Sequence, residues 1–334
     1  MLLRANYKVM DWKACVLTIM SSFTLLLRGA SAAKPSETQY YFVNPYNYDF
    51  VLQTSQCSPD VQLLIVVHTS TKLEYSKRRM LMRNTWLNEM TLSSIFNLKV
   101  KITFFLGMAK DSNDQKRLEY ESEMYSDLVQ SDFNDTVPHN TYKAMSHLLW
   151  TSKYCRHASL VMKVDDDTLV RTKRLYTLFP AISKWMKSEV PLYIGAELPH
   201  PGNFTALNKY YLPRKLNMSQ SYPTWFHGVV CFLLPKYADT LFNSALYTRY
   251  MQADDTFLGI AVSKTEEMSV SIHKLTPVVK YEQEDNSKFI EKIKPHWLIG
   301  KAVFYHVPQT EYYIQLAMID FHEPKRLRTG WYLW

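Results

Sequence analysis

The chain has 334 residues, 47% of them hydrophobic, with 16 Phe, 23 Tyr and 8 Trp; that excludes disorder and supports a substantial core. Its net charge of +8, from 39 basic and 31 acidic residues, gives a moderately basic surface suited to an anionic substrate or a membrane. No basic arm, zinc-finger spacing or RNP-like aromatic pattern points to nucleic acid, and the absence of GxGxxG and GxxxxGK[ST] sets aside dinucleotide-binding and P-loop classes.

The N-terminus reads as targeting. Arg4, Lys8 and Lys13 precede an apolar stretch, Ala14–Leu27, that closes at Arg28. Its length suits a signal h-region or a short anchor, and Ala30, Ser31 and Ala32 fit a cleavage site, so both outcomes stay open. Either delivers the rest of the chain to the secretory lumen. The expected organisation is a cytoplasmic tail (1–13), a signal-anchor (14–28), a stem (29–59), a lumenal catalytic domain (60–320) and a C-terminal tail (321–334). Sequons at Asn134, Asn203 and Asn217 agree with a lumenal location. Beyond Cys15, three cysteines remain, Cys57, Cys155 and Cys231, which allow one internal disulfide without saying which.

"VQLLIVVHT" (61–69) is an apolar run of strand length, suited to burial on both faces. Helix formers follow at 75–86, then a second strand, "VKITFFLG" (100–107), and a charged helix over 111–127 opened by Asp and Ser. An amphipathic helix covers 141–155, and "SLVMKV" (159–164) is a third strand running into Asp165. Strands alternating with helices predict a mostly parallel α/β sheet, with ligands at the carboxyl ends of its strands.

Asp165, Asp166 and Asp167 sit at such an end. Carboxylates there suit Mn²⁺ or Mg²⁺, bound through one or two protein groups and substrate phosphates. In an extended segment Asp165 and Asp167 share a face; a solvated loop with a helix cap is the plainer alternative. A second pair, Asp254 and Asp255, opens an apolar helical pattern. It suits either a helix N-terminus or a general base.

These residues resemble, in order, the inverting β1,3-glycosyltransferases of family 31. "RRMLMRNTW" (78–86) is similar to R-x-x-x-R-x-T-W, and "YSDLVQSDFNDTVPHNTYK" (125–143) to the block around D-F-x-D-[TS]-Y. Trp150 and Cys155 match W-x-x-x-x-C, and "KVDDD" (163–167) matches K-x-D-D-D. "FFLG" (104–107), "NKYYLP" (208–213), "YPTWFHG" (222–228), "ADDTFLG" (253–259) and "HVPQTEYY" (306–313) continue the series, which spans about residues 61–315. The resemblance implies a GT-A-type fold, a UDP-sugar donor, a glycan acceptor on glycoprotein or glycolipid, and a type II Golgi membrane location. It implies Asp167, with Asp165 and His306, for the metal. Arg79, Arg83, Lys163, Asp165 and Asp166 fall to the donor, and Asp255 to the base that takes the acceptor proton.

The chain departs from the pattern at Val137, where Tyr is usual, at Asp254, where Glu is usual, and at "FHGVVCF", which lacks the usual small-residue turn. Two other readings fit part of the pattern. A non-catalytic glycan-binding protein would keep the fold. A haloacid-dehalogenase-like phosphatase would also pair a strand-end Asp with a later acidic pair, but Leu169 breaks its D-x-D-x-[TV] arrangement.

Overall fold

The apolar run at 61–69 forms β2 (Leu63–His68), buried on both faces. In this computed structural model it lies inside an eight-stranded sheet. The structure describes residues 43–190, 192–197, 225–265, 271–274, 279–280, 303–307, 311, 313–314 and 316–317. The tail at 1–13, the segment at 14–28, the sequons at Asn203 and Asn217, the element at 208–213 and the tail at 321–334 lie outside them. Among the described residues no helix is long and apolar enough to cross a membrane.

From β2 the chain runs through α1 (Leu73–Asn84) and α2 (Glu89–Phe96) to β3 (Val100–Met108). It continues through α3 (Ser112–Tyr125) to β4 (Leu128–Asn134), then through α4 (Asn140–Tyr154) to β5 (Leu160–Asp165). Asp111 starts α3 by accepting the Asn113 and Asp114 N–H groups, and Ser126 ends it at φ 52°. β2 pairs in parallel with β3 and with β5, and β3 with β4. The spatial order is therefore β4-β3-β2-β5, and the winding reverses between β2 and β5. Such a reversal opens a crevice at the carboxyl ends of the strands, where ligands bind in open α/β sheets.

Beyond β5 the sheet turns mixed. β6 (Thr168–Val170) leaves it, β7 (Leu192–Glu197) and β8 (Phe226–Leu233) rejoin it, and β9 (Ser271–Lys274) completes it. β8 is antiparallel to both β5 and β7, while β9 is parallel to β7. β6 belongs to a second, three-stranded sheet with β10 (Val279–Lys280) and β11 (Phe304–His306).

Side chains alternate across β2 and β5, so the two faces build two cores. Leu63, Ile65, Val67, Met162 and Val164 pack with Leu169, Val170, Phe304 and Tyr305 of the second sheet. Leu64, Val66 and Val161 pack under α4, α6 (Ala238–Leu246) and α7 (Asp254–Ser263); α5 (Phe179–Met186) follows β6.

Residues 43–59, expected in the stem, make tertiary contacts with the sheet and with α6. β1 (Phe50–Leu52) adds to the β4 edge antiparallel. The Val43 and Asn44 N–H groups donate to Leu246 O, and Tyr46 meets Phe242 edge-on at 5.6 Å. Cys57 is disulfide-bonded to Cys155 at the end of α4, and Cys231 is a buried free thiol. The three possible pairings thus reduce to one.

Candidate active site

On the helical face the aliphatic rows end in polar residues. Two places past Val66 on β2 comes His68, and two and four places past Val161 on β5 come Lys163 and Asp165. His68 and Asp165 are register partners across the winding reversal.

Lys163 is buried, and its ammonium joins two carboxylates: Nζ is 2.6 Å from Asp165 Oδ1 and 3.7 Å from Asp254 Oδ2. Burial opposes that charge, but the two carboxylates outweigh it and raise the ammonium pKa above its usual range. Burial also lifts Asp165 to about 6, against the pull of Lys163. Gly228 of β8 makes room here: an added Cβ would collide with Asp165 Oδ2 and come within 3.2 Å of Lys163 Nζ.

The three aspartates go to three different partners. Asp166 and Asp167 form the turn between β5 and β6. Asp166 accepts from Thr69 Oγ1 at 2.7 Å and faces Arg78 Nη1 at 3.4 Å. Burial, with the neighbouring Asp167 charge, lifts its carboxyl to about 7. Asp167 turns toward the second sheet, where His306 Nε2 of β11 is 3.2 Å from its Oδ2. Burial works against that anion, but the His306 contact outweighs it and holds the carboxyl below its ordinary value. The His227 ring stands 5.6 Å from that of His306, with its Nδ1 accepting the Val229 N–H at 3.1 Å.

Asp167 and His306 fit a divalent ion. Asp167 Oδ1 is buried and accepts no hydrogen bond among the described residues, while the carboxylate's other oxygen, Oδ2, lies 3.2 Å from His306 Nε2. One carboxylate and one imidazole are donors that Mn²⁺ accepts, and such ions keep places for phosphate and water. Among the described residues no group of three His, Cys, Asp or Glu could hold an ion alone.

The second acidic pair arrives on the opposite face. α7 packs in the helical-face core, and Asp254 in its first turn meets Lys163 and also His68 Nδ1, at 3.5 Å. Burial would raise the Asp254 carboxyl, but Lys163 and His68 hold it well below the usual range. Asp255 is 9% exposed, and its Oδ1 accepts the Thr256 N–H at 2.8 Å. β5 thus separates two acidic groups, Asp254 and Asp255 on the helical side and Asp167 with His306 on the side of the second sheet.

Arg79 and Arg83 share a helix face, as their spacing predicts, but the structure does not bring them to the aspartates. Arg79 is fully buried, with Nε and Nη2 on Glu121 at 2.8 and 2.6 Å and Nη1 on Thr69 Oγ1 and Ser70 O. Arg83 binds Asp127 through two hydrogen bonds of 2.8 Å and stacks against Tyr125 and Phe104 at 4.1 and 4.8 Å. Arg79 fastens α1 to α3, and Arg83 fastens it to α3, to Asp127 after it and to β3. Arg79 acts on the site through Thr69, the donor to Asp166. The arginine that faces the cluster is their neighbour Arg78. Its signal was available in the doubled arginine at 78–79, of which the motif spacing favours the second member.

Arg79→Met removes one of the two guanidiniums that hold the buried Glu121 carboxylate and leaves Arg83 Nη2 on it at 2.9 Å. Hydrogen bonds to charged groups contribute about 1.5–3 kcal/mol, so the variant should lose about 2–3 kcal/mol, read as a fall in denaturant midpoint at constant m-value. A change below about 1 kcal/mol would show that Arg83 and Ser76 satisfy Glu121 without Arg79.

Trp86, in the α1 motif, is structural: its Nε1 donates to Tyr313 OH at 2.7 Å, and Tyr313 OH donates to Thr168 O at 3.2 Å. It ties α1 to the strand that follows the aspartates.

Comparison with known proteins agrees with the sequence resemblance. The chain is 31% identical over 246 residues to a zebrafish (Danio rerio) lactosylceramide 1,3-N-acetyl-β-D-glucosaminyltransferase B, covering 70% of this chain and 63% of that protein. It is 24% identical over 223 residues to the β-1,3-galactosyltransferase 1 of Mus musculus, covering 66% of this chain and 67% of that one. Among solved structures, a mannosyltransferase from Pyrobaculum calidifontis, in complex with GDP-Man and Mn²⁺, aligns over 76% of this chain and 66% of its own. Its identity is 14% and its TM-score 0.35, a likeness that fixes no residue's role here. The profile of the galactosyltransferase family matches residues 77–276, more than half of the chain, and the chain belongs to that family.

Proposed function

We propose that the chain is a UDP-sugar-dependent hexosyltransferase. In this reading it transfers galactose or an N-acetylhexosamine to a glycan hydroxyl, forming a β1,3 linkage with inversion. One observation carries the reading: at the winding reversal, a cation-fitting pair and a separate acidic pair flank the same strand from opposite faces. Inverting displacement needs that division, because the acceptor attacks from the side away from the leaving diphosphate.

Asp167 and His306 are the ligands we assign to Mn²⁺ or Mg²⁺. A bound ion would neutralise charge on the diphosphate as the glycosidic bond breaks, a Lewis-acid contribution of several kcal/mol. Asp165 is drawn to Lys163, so we assign it to orienting the mouth rather than to the ion. Arg78, in place of Arg79 and Arg83, is the guanidinium we assign to the donor. Asp255 is the base for the acceptor hydroxyl. Its neighbour Asp254, held by Lys163 and His68, is too stabilised as an anion to take a proton readily.

The Cys57–Cys155 disulfide supports a lumenal location, since disulfides persist in oxidising compartments. With the basic-flanked apolar segment at 14–28, it favours a type II Golgi membrane protein.

Calorimetry of UDP binding with and without Mn²⁺ tests the donor reading. UDP should bind only when the ion is present; equal binding in excess chelator would remove the ion from the account. Gly228→Ala tests the mouth. Displacing Asp165 and Lys163 by even about 1 Å should lower kcat/KM by about 10²-fold. Thermal unfolding should show the variant still folded, and normal turnover would mean that Asp165 need not stay in place.

A further inference from the structure

The strongest unassigned feature is a pair of buried histidines behind the acidic pair. His68 ends β2, and His147 sits on α4, which packs over it. His68 Nε2 and His147 Nδ1 are 2.9 Å apart. The other His68 nitrogen, Nδ1, faces Asp254 Oδ2 at 3.5 Å. Both residues are buried, 7% and 1% exposed. Burial, with the positive charge of Lys163 nearby, pushes His68 down to about 3, and burial, with His68 beside it, holds His147 well below its ordinary value, so both rings are neutral near pH 7.

Neutrality fixes the protons. A neutral imidazole carries one N–H and one lone pair. Asp254, ionised, only accepts. His68 must therefore hold its proton on Nδ1, which leaves Nε2 as an acceptor. His147 must then donate from Nδ1, and its own Nε2 carries no proton. That last nitrogen is buried and has no hydrogen-bond partner among the described residues. The His147 ring stands edge-on to Phe105, with centroids 6.1 Å apart. The order of donors runs one way, from α4 through β2 to α7.

We propose that His68 and His147 are a tautomer-locked positioning pair that orients Asp254 and, through it, the first turn of α7 bearing Asp255. A second tie already joins α4 to the approach to α7, where Thr141 Oγ1 donates to Met251 O. His147 touches no reacting group. It acts by making His68 Nε2 an acceptor that is satisfied, so that His68 stays turned toward Asp254. The catalytic part of this inference rests on Asp255 as the base; the tautomer part stands by itself.

The test uses the full chain with ¹⁵N-labelled histidine at pH 7, in two-bond ¹H–¹⁵N correlation spectra, with signals assigned through His147→Asn and His68→Gln. Both rings should be in the Nδ1–H form, with His147 Nε2 at the shift of a bare lone pair. An Nε2–H form or an imidazolium at either position would overturn the lock. Kinetics supply the second arm. His147→Asn keeps a donor near the Nδ1 position and should retain kcat, whereas His147→Leu leaves a buried acceptor unpaired and should lower kcat by about 10-fold with KM for the UDP-sugar unchanged. Equal turnover in the Asn and Leu variants would refute the positioning role. If the wild-type chain transferred no sugar from any UDP-sugar, the enzyme reading would fall, and the spectra alone would decide the lock.

Discussion

Asp255→Asn should lower kcat by about 10²–10⁴, the usual contribution of a general base, while leaving UDP and metal affinity intact. A hydroxyl is a poor nucleophile until its proton is leaving, and the base must lie on the acceptor side. α7 supplies that side: it packs on the helical face of the sheet, away from Asp167 and His306. Of its two acidic residues, Asp254 is committed to Lys163 and His68. Asp254→Asn should therefore cost less in turnover. Steady-state kinetics with UDP titrations on both variants separates the roles. A larger loss in the Asp254 variant, with UDP binding unchanged, would exchange them; no loss in either would place the base elsewhere.

Asp167→Asn should abolish metal-dependent turnover and weaken UDP binding together. The substitution keeps shape but removes the charge beside His306, and it replaces one acceptor oxygen with an amide donor. An amide is a poorer partner for a hard cation than a carboxylate. UDP calorimetry in Mn²⁺ and single-turnover rates on the same preparation check both effects. Normal activity in this variant would remove Asp167 from the ligand set. An unchanged UDP affinity with lost turnover would move it from holding the diphosphate to positioning.

The elements legible in the sequence were those whose physics is local. β2, β3 and β5 are unbroken apolar runs, and α3 declares its start through Asp111. β4 was hidden because Gln130, Ser131 and Asp132 interrupt its pattern. Gln130 is nonetheless fully buried, because Gly107 O and the Gln115 side chain satisfy its amide. The three-stranded sheet leaves no signal in the sequence because its strands have only two or three residues, too few to show a period. Residues 43–59 looked like stem because their contacts are with α6, β4 and Cys155, all distant in the chain.

The site divides the same way. The aspartate triplet is legible because a buried strand runs straight into it, and Lys163 lies on the same face two residues before Asp165. Arg79 and Arg83 show the limit of spacing as a guide. Their shared face follows from helix geometry, but Glu121 and Asp127, which claim them, come from α3 and the turn after it. The histidine pair carries no local signal at all, since His68 and His147 are 79 residues apart.

The most direct test of the central claim is transfer itself. The full chain, given a panel of UDP-hexoses and UDP-N-acetylhexosamines with glycan acceptors and Mn²⁺, should yield one product class. Its new anomeric proton, read by NMR, should show a β1,3 linkage formed from the α-linked donor, and chelator should abolish the product. An α-linked product, or transfer that persists without a divalent ion, would contradict the division of roles between the Asp167–His306 pair and Asp255.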